Sequence, residues 1–450
     1  MTRISLRLGL MLAAAALVPA CATNRGSSGP LLSPGGTLQL LTRGGAGSSG
    51  SGGNGGDITI SAKTGSDISI LRGILPSPTL FVPPLTFATG NNTRHITGDT
   101  TYTISNGPAT ITNLRYGDNG LVSDDGVSPA NQLIIDPGVR LTLPPNDVNP
   151  NAAVLNLTTL HSVVILGTLA VGRKVLTPND GADLSLDSTD LLIGPNGRVD
   201  TTGLDNPTGS GGNGGSITVT QAGNVLLQGA VATAGGAGTT QGGSGGGVSI
   251  QIYNRGLYSL GSIVTSGGSA SAGAGGDAGT ITLQSATTSF SYGPVILSGS
   301  ILGDGGPGTT RGGKGGAFTA QAVMLGGILS LARINVSGGD VTTAGPGGAA
   351  GALLIAAQGE SVELFGLIIG RGGAASGAVN VGGTGSSAMI STVNAETTFL
   401  GPATGESSGE IRIGCSLDVR GGDGPVGGSG GAVTIRSDSD TLVNAAEPGL

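Results

Sequence analysis

The sequence predicts an all-β protein folded as a right-handed parallel β-helix, a solenoid with 31–37 residues per coil in its second half. Three observations predict it. A Gly-rich phrase returns at steps of 31, 33, 37 and 35 residues, opening GGNGGSITV at Gly211, GGSGGGVSI at Gly242, GGDAGTITL at Gly275, GGKGGAFTA at Gly312 and GGAAGALLI at Gly347. Self-similarity at that period is the signature of a stacked repeat. Short apolar runs behind each phrase alternate with Ser and Thr, the period of a strand. The composition fits a narrow aliphatic interior: 90 Gly in 450 residues, no Trp, and only 5 Tyr and 6 Phe. Gly at that density costs a helix about 1 kcal/mol per residue against Ala, so no helix is expected behind the leader.

The chain opens MTRISLRLGLMLAAAALVPAC. Arg3 and Arg7 provide a positive start and Leu8 to Val18 an apolar run, too short to span a bilayer, which takes about 20 apolar residues. Val18, Pro19, Ala20 and Cys21 resemble a bacterial lipobox. The resemblance implies a signal peptide over residues 1–20, lipidation at Cys21 and attachment to the membrane through the N-terminal lipid. Ala22, following the cysteine, implies outer-membrane sorting. An ordinary secretory peptide cleaved after Ala20 is the alternative. Cys415 is the one other cysteine and reads as a buried, inert thiol, since no His lies near it in the sequence.

Residues 21–51 are rich in Gly, Ser and Thr and read as a tether. Residues 52–205 read as an irregular N-terminal part of the solenoid, opened by a second GGNGG at 52–56. Their strands are expected at 101–105, 109–114, 132–135, 139–143, 154–157, 163–166, 184–186 and 191–193, and a separate β-sandwich is the competing reading. Residues 206–437 carry the regular repeats, each with three short strands. In the first repeat these fall at 216–220, 224–228 and 230–234. Further copies of the phrase are read at Gly373, Gly405 and Gly427, so Ile217, Val248, Ile281, Phe318, Leu353, Val379, Ile411 and Val433 are expected in one interior column. About 12 coils at roughly 4.8 Å each give a rod on the order of 60 Å long. Residues 438–450 read as a C-terminal cap or tail.

Candidate chemistry is sparse. The stretch 308–315 gives G-x-x-x-x-G-K, but Gly315 stands where a phosphate loop needs Ser or Thr, and a strand follows instead of a helix. Asp118, Asp124 and Asp125 in YGDNGLVSDDGV offer oxygen ligands for a calcium ion, although turn chemistry explains them equally well. Asp183, Asp187 and Asp190 near Arg173 and Lys174 are the one carboxylate-and-base grouping, and a solvated loop is the simpler reading. No catalytic residue and no cofactor is assigned. Tyr253 and Tyr258, the one closely spaced tyrosine pair in the repeats, read as isolated surface residues. A net charge of −7 without a Lys/Arg block argues against nucleic acid as a partner.

The GGxGGxI-x-I/V repeat over residues 52–437 resembles Gly-rich bacterial surface proteins with a parallel β-helix, in the manner of haemagglutinin-type adhesins. The resemblance implies an exported, lipid-anchored protein of the outer membrane or cell surface, with a structural or adhesive role and a glycan or cell-surface partner. The end, NAAEPGL, has no aromatic-rich alternating strands of a membrane barrel, so the anchor is expected to depend on Cys21. A polysaccharide lyase or glycoside hydrolase on the same fold is the alternative. It calls for three or more charged side chains on one face of adjacent coils. A surface-binding array with regular Thr ranks is a third reading.

Overall fold

The computed structural model describes residues 40–62, 68–72, 93–101, 132–143, 152–156, 162–221, 223–253, 255–286, 293–323, 326–358, 360–392, 409–414, 416–437 and 441–445. Their strands form three sheets of 10, 12 and 11 strands. Every ladder pair between those strands is parallel and joins one coil to the next; for instance Ile217–Gln221 pairs with Val248–Ile252, and Val248–Ile252 with Ile281–Ala286. Each regular coil visits the first sheet, then the second, then the third, as in Ile217–Gln221, Val225–Leu227 and Ala230–Ala232. This is a parallel β-helix. Twelve stacked strands at about 4.8 Å span roughly 53 Å.

Burial follows the alternation. Val248, Ile250 and Ile252 are buried, while Ser249 and Gln251 between them are half-exposed. Parallel stacking in register places like side chains over one another. One interior column therefore runs Leu184, Ile217, Val248, Ile281, Phe318, Leu353, Ala388, Val433. Two members of the expected column are misplaced. Val379 is 81% exposed, and Ala388, 2 residues before Ile390 in GGTGSSAMI, takes its level. Ile411 belongs to the second sheet, in line with Val362 and Thr441. Gly373 belongs to the first of its coil's two glycine pairs, Gly372–Gly373, and the first-sheet strand follows the second, Gly382–Gly383.

The described strands of the first half join these same sheets and form no separate sandwich: Gln132–Ile135 and Ser162–Ile165 in the second, Arg140–Leu143 and Thr168–Val171 in the third. Asp136, Pro137 and Gly138 turn the chain between the first of each pair, with Gly138 at φ 76°. The expected strand at 109–114 lies outside the described residues.

The outermost coil is not where its place in the sequence suggests. Leu40–Leu41 pairs with Leu417–Asp418, Ile58–Ala62 with Val433–Ser437, and Ile68–Arg72 with Thr441–Ala445. Residues 40–62 and 68–72 thus stack on the C-terminal end of the rod, while Thr93–Ile96 and Thr100–Thr101 lie at the other end. Two expected boundaries change with this. The segment read as tether enters the rod at Leu40, and the segment read as cap or tail supplies an ordinary rung at Thr441–Ala445.

Between the third sheet and the next first-sheet strand, each regular coil carries two glycine pairs, such as Gly235–Gly236 and Gly242–Gly243. Their amides form a zigzag ladder. Gly243 N donates to Gly236 O at 2.8 Å within the coil, and Gly268 N donates to Gly243 O at 2.8 Å from the next coil. The alternation continues to Gly53 N on Gly45 O at 3.0 Å. Bonding directions repeat every three residues, as in a polyproline II or polyglycine helix. Gly211 and Gly214 donate forward to Gln241 and Ser244, Gly212 and Gly215 donate across to Leu204 and Thr201, and Asn213 and Ser216 donate outward to Asp180 and Asp183. Close approach explains the glycines: a Cβ on Gly243 would lie 1.9 Å from Gly212 O, and one on Gly348 1.9 Å from Gly313 O. Positive φ does not, because Gly138 and Gly377 alone have it among the described residues.

Candidate functional site

The variable residue of the GGxGG phrase sits on the outside of the glycine lobe. Where it is Asn213 or Asp277, its side chain satisfies the backbone of the following coil. Asn213 Oδ1 accepts from Ser244 N at 2.8 Å, and Asp277 Oδ1 accepts from Lys314 N at 2.8 Å. A parallel rank uses Asp205 with Ala237 N at 2.6 Å, Asp340 with Ala374 N at 2.7 Å and Asp423 with Ala46 N at 2.7 Å. These outward N–H groups have no backbone partner, and a short acceptor side chain one coil below meets them. The phosphate-loop look-alike is part of this lobe. The amides of Gly308, Thr309, Gly312, Gly313, Gly315 and Gly316 donate to carbonyls of the rod, and that of Lys314 to Asp277, so none of these is left to cradle an anion.

The outer face of the first sheet carries a rank of hydroxyls: Ser185, Thr218, Ser249, Thr282 and Thr319 in successive coils, with Leu354 and Met389 following, then Thr434 and Thr59. Beside it Gln251 Nε2 donates to Gln284 Oε1 at 3.3 Å, and Gln284 Nε2 to Gln321 Oε1 at 2.5 Å. The second sheet differs. Leu226, Tyr258 and Ile296 occupy one level of three adjacent strands and form a small apolar cluster apart from the main core, with Leu192, Leu260 and Leu329 against it. Tyr258 is therefore buried, contrary to the surface position expected for it, and burial pushes its hydroxyl pKa up. Tyr253 is half-buried, with its hydroxyl 3.5 Å from Gln251 Oε1.

Of the charged residues singled out in the sequence, Asp183, Asp190 and Arg173 are engaged with the rod's own backbone. Asp183 accepts from Ser216 N at 2.7 Å, and Asp190 from Asn224 N at 2.7 Å, so both carboxylates are occupied with backbone. Arg173 donates to the carbonyl of Thr202, and Lys174 N to Asp180 O. Asp187 lies in the strand Asp183–Ser188. Cys21, Asp118, Asp124, Asp125, His161 and Cys415 lie outside the described residues. Among the described residues no group of three His, Cys, Asp or Glu is placed to hold a metal, and no helix is long and apolar enough to cross a membrane.

The strongest electrostatic feature was not anticipated. Asp418 is buried in the third sheet at 3% side-chain exposure. Arg420 donates to it through Nε and Nη2, both at 2.9 Å, and Arg371 through Nε at 2.6 Å. Burial alone would raise the carboxyl pKa, but the hydrogen bonds and charge of Arg420 and Arg371 outweigh it and hold the group below the usual carboxylate range. Asp200, at the equivalent level of an earlier coil, repeats the theme. Burial is again outweighed, here by bonds from Thr202 N at 3.1 Å and Thr202 Oγ1 at 2.8 Å together with Arg198. These clusters look structural: each charge is answered inside its own coil or the adjacent one. At the start of the rod His95 Nε2 lies 2.7 Å from Asp136 Oδ1.

No protein-family model, curated protein or solved structure matches the chain.

Proposed function

We propose that the chain is a cell-envelope lipoprotein that displays a β-helical rod in a structural or adhesive role, anchored through an acylated Cys21. One observation carries the reading. The ten-stranded sheet repeats short hydroxyl side chains along its outer face over five successive strands, Ser185, Thr218, Ser249, Thr282 and Thr319, in register. A repeated rank of hydroxyl groups is suited to multivalent contact with a repeating polar surface, such as a glycan, where many weak bonds add. The apolar leader ending in VPAC supports export and lipid attachment.

Two experiments test this. Metabolic labelling with a palmitate analogue should mark the wild-type protein and not Cys21→Ala; label retained in the variant would sink the anchor. Residues 22–450 on a glycan array and in a cell-adhesion assay should show binding that falls when Thr218, Thr282 and Thr319 are replaced together by Glu. If no surface is bound, or binding is indifferent to that triple change, the adhesive reading of this face is wrong.

A further inference from the structure

The coil made by residues 40–62 and 68–72 is joined to the C-terminal end as tightly as any two neighbours within the rod. Gly45 N donates to Gly428 O at 2.7 Å, Gly430 N to Asn54 O at 2.7 Å, Val433 N to Asp57 O at 2.8 Å and Val419 N to Leu41 O at 2.8 Å. The glycine lobe continues across the joint without a change of spacing: a Cβ on Gly427 would lie 1.9 Å from Gly45 O, and one on Gly53 1.9 Å from Gly428 O. The two glycine pairs of the N-terminal coil, Gly44–Gly45 and Gly52–Gly53, thus meet the two of the C-terminal coil, Gly421–Gly422 and Gly427–Gly428. At the opposite end the corresponding connections, from Arg140–Leu143 to Ala152–Asn156 and from Thr168–Val171 to Asp183–Ser188, carry no glycine pair in their sequence. The N-terminal coil therefore finds its like-for-like neighbour in the end formed by residues 416–437 and 441–445.

Every copy of the chain carries that same surface. Reaching its own costs the chain reach. Arg72 and Thr93 belong to opposite ends of the twelve-stranded sheet, eleven rungs or about 53 Å apart at ~4.8 Å per rung. Twenty-one Cα–Cα links join them, about 70 Å when fully extended at ~3.3 Å each. The closed form consumes most of that reach, which lowers the effective concentration of the coil at its own acceptor. In a neighbouring copy the same acceptor is met with slack in the connection. We propose that residues 40–72 form an exchangeable joint, donated to the C-terminal end of a second copy so that chains link head to tail. The donor and acceptor surfaces differ, so the contact is heterologous and propagates instead of closing as a two-fold pair. This goes beyond the role proposed above and does not depend on the lipid.

Thr59 and Thr434 are in-register neighbours across the joint, so cross-linking distinguishes the two arrangements. In a full-length background carrying Cys21→Ala and Cys415→Ala, Thr59→Cys and Thr434→Cys are made in separate chains, mixed unfolded, refolded over a range of concentrations and treated with a short bis-maleimide. The expected result is a covalent mixed dimer whose yield rises with concentration. The double variant should give an internally bridged monomer when dilute and a ladder of multimers when concentrated. Thr59→Cys mixed with Thr218→Cys, whose site lies mid-rod, should give no dimer. The internal bridge reports that the fold is intact. An internal bridge at every concentration with no mixed dimer above the mid-rod control would overturn the proposal.

Discussion

Replacing Gly348 by Ala tests whether the glycine lobe is held by close approach. The added Cβ would lie 1.9 Å from Gly313 O, 2.7 Å from Gly313 C and 2.9 Å from Gly339 N. All three are backbone atoms that cannot rotate away. Restoring even a ~3.2 Å separation requires the segments to part by more than ~1 Å, since carbon and oxygen sit comfortably only at about 3.5 Å. Gly348 N on Gly339 O at 2.9 Å and Gly373 N on Gly348 O at 2.8 Å would then stretch to nearly 4 Å, past the limit of a hydrogen bond. Losing two or three buried amide bonds at ~1–2 kcal/mol each, with the orphaned groups sealed from water, gives about 3–6 kcal/mol.

The comparison variant is Gly247→Ala, where the nearest atom is Thr280 Oγ1 at 3.3 Å. It should be neutral within ~1 kcal/mol, because Ala also restricts the unfolded chain. Urea unfolding followed by circular dichroism gives the global difference. Since repeat arrays unfold piecewise, hydrogen exchange of peptides covering 339–348 and 373–383 supplies the local one. Equal stability of the two variants would refute the steric account. So would a Gly348→Asn variant clearly more stable than Gly348→Ala, because Asn relieves a positive-φ requirement and not a clash.

Phe318, 1% exposed between Ile281 and Leu353, should cost about 3–5 kcal/mol on truncation to Ala, read by urea unfolding. Ser330 Oγ is buried with no hydrogen-bond partner, so Ser330→Ala should be neutral or stabilising by up to ~1 kcal/mol in the same assay, and a loss would show that the hydroxyl is satisfied. Asp418 has a lowered folded pKa. Its contribution is therefore complete above the ordinary carboxylate value of about 3.9 and disappears as pH falls through the lowered folded value. Wild type and Asp418→Asn should accordingly differ most at neutral pH and converge in acid, and a gap unchanged down to pH 2 would exclude the Arg420 and Arg371 interactions as its source.

Much of this fold is legible because a parallel stack repeats its chemistry. Ile217, Val248, Ile281, Phe318 and Leu353 sit six residues behind a glycine pair, and each proves to share one column. The error at Val379 has a physical cause: GAASGAVNV has the right spacing of apolar residues but no facing glycine pairs, and without them the lobe cannot close at that level. Ala388 follows Gly382–Gly383, which face Gly372–Gly373, and this second pair is the missing criterion. The acceptor side chains are visible as the x of GGxGG, yet their role is not, since nothing in the sequence locates the outward amides of the next coil from which Asn213 and Asp277 accept. Asp418 was illegible for another reason. Its partners Arg371 and Arg420 meet it through stacking of neighbouring coils, and the 47 residues separating Arg371 from Asp418 carry no sequence signal.

The rod joins two materials within each coil. The three sheets enclose Ile, Val and Leu, whose association is driven by removing apolar surface from water. The glycine lobe is held chiefly by its backbone. Its buried pairs, Gly236 and Gly243 or Gly339 and Gly348, are held by backbone hydrogen bonds at 2.8–2.9 Å, and each glycine gives up more chain entropy on ordering than Ala would, by about 0.5–1 kcal/mol. Such a lobe has no reason to form alone. It forms because the sheets already fix the rise between coils, so that each added amide finds its acceptor at the right height. The dependence also runs the other way: a substituted glycine forces apart coils whose apolar columns are in register, and the disturbance passes into the sheets. The repeat is thus held at two places by two different interactions, and the glycine pairs are the less tolerant of substitution of the two.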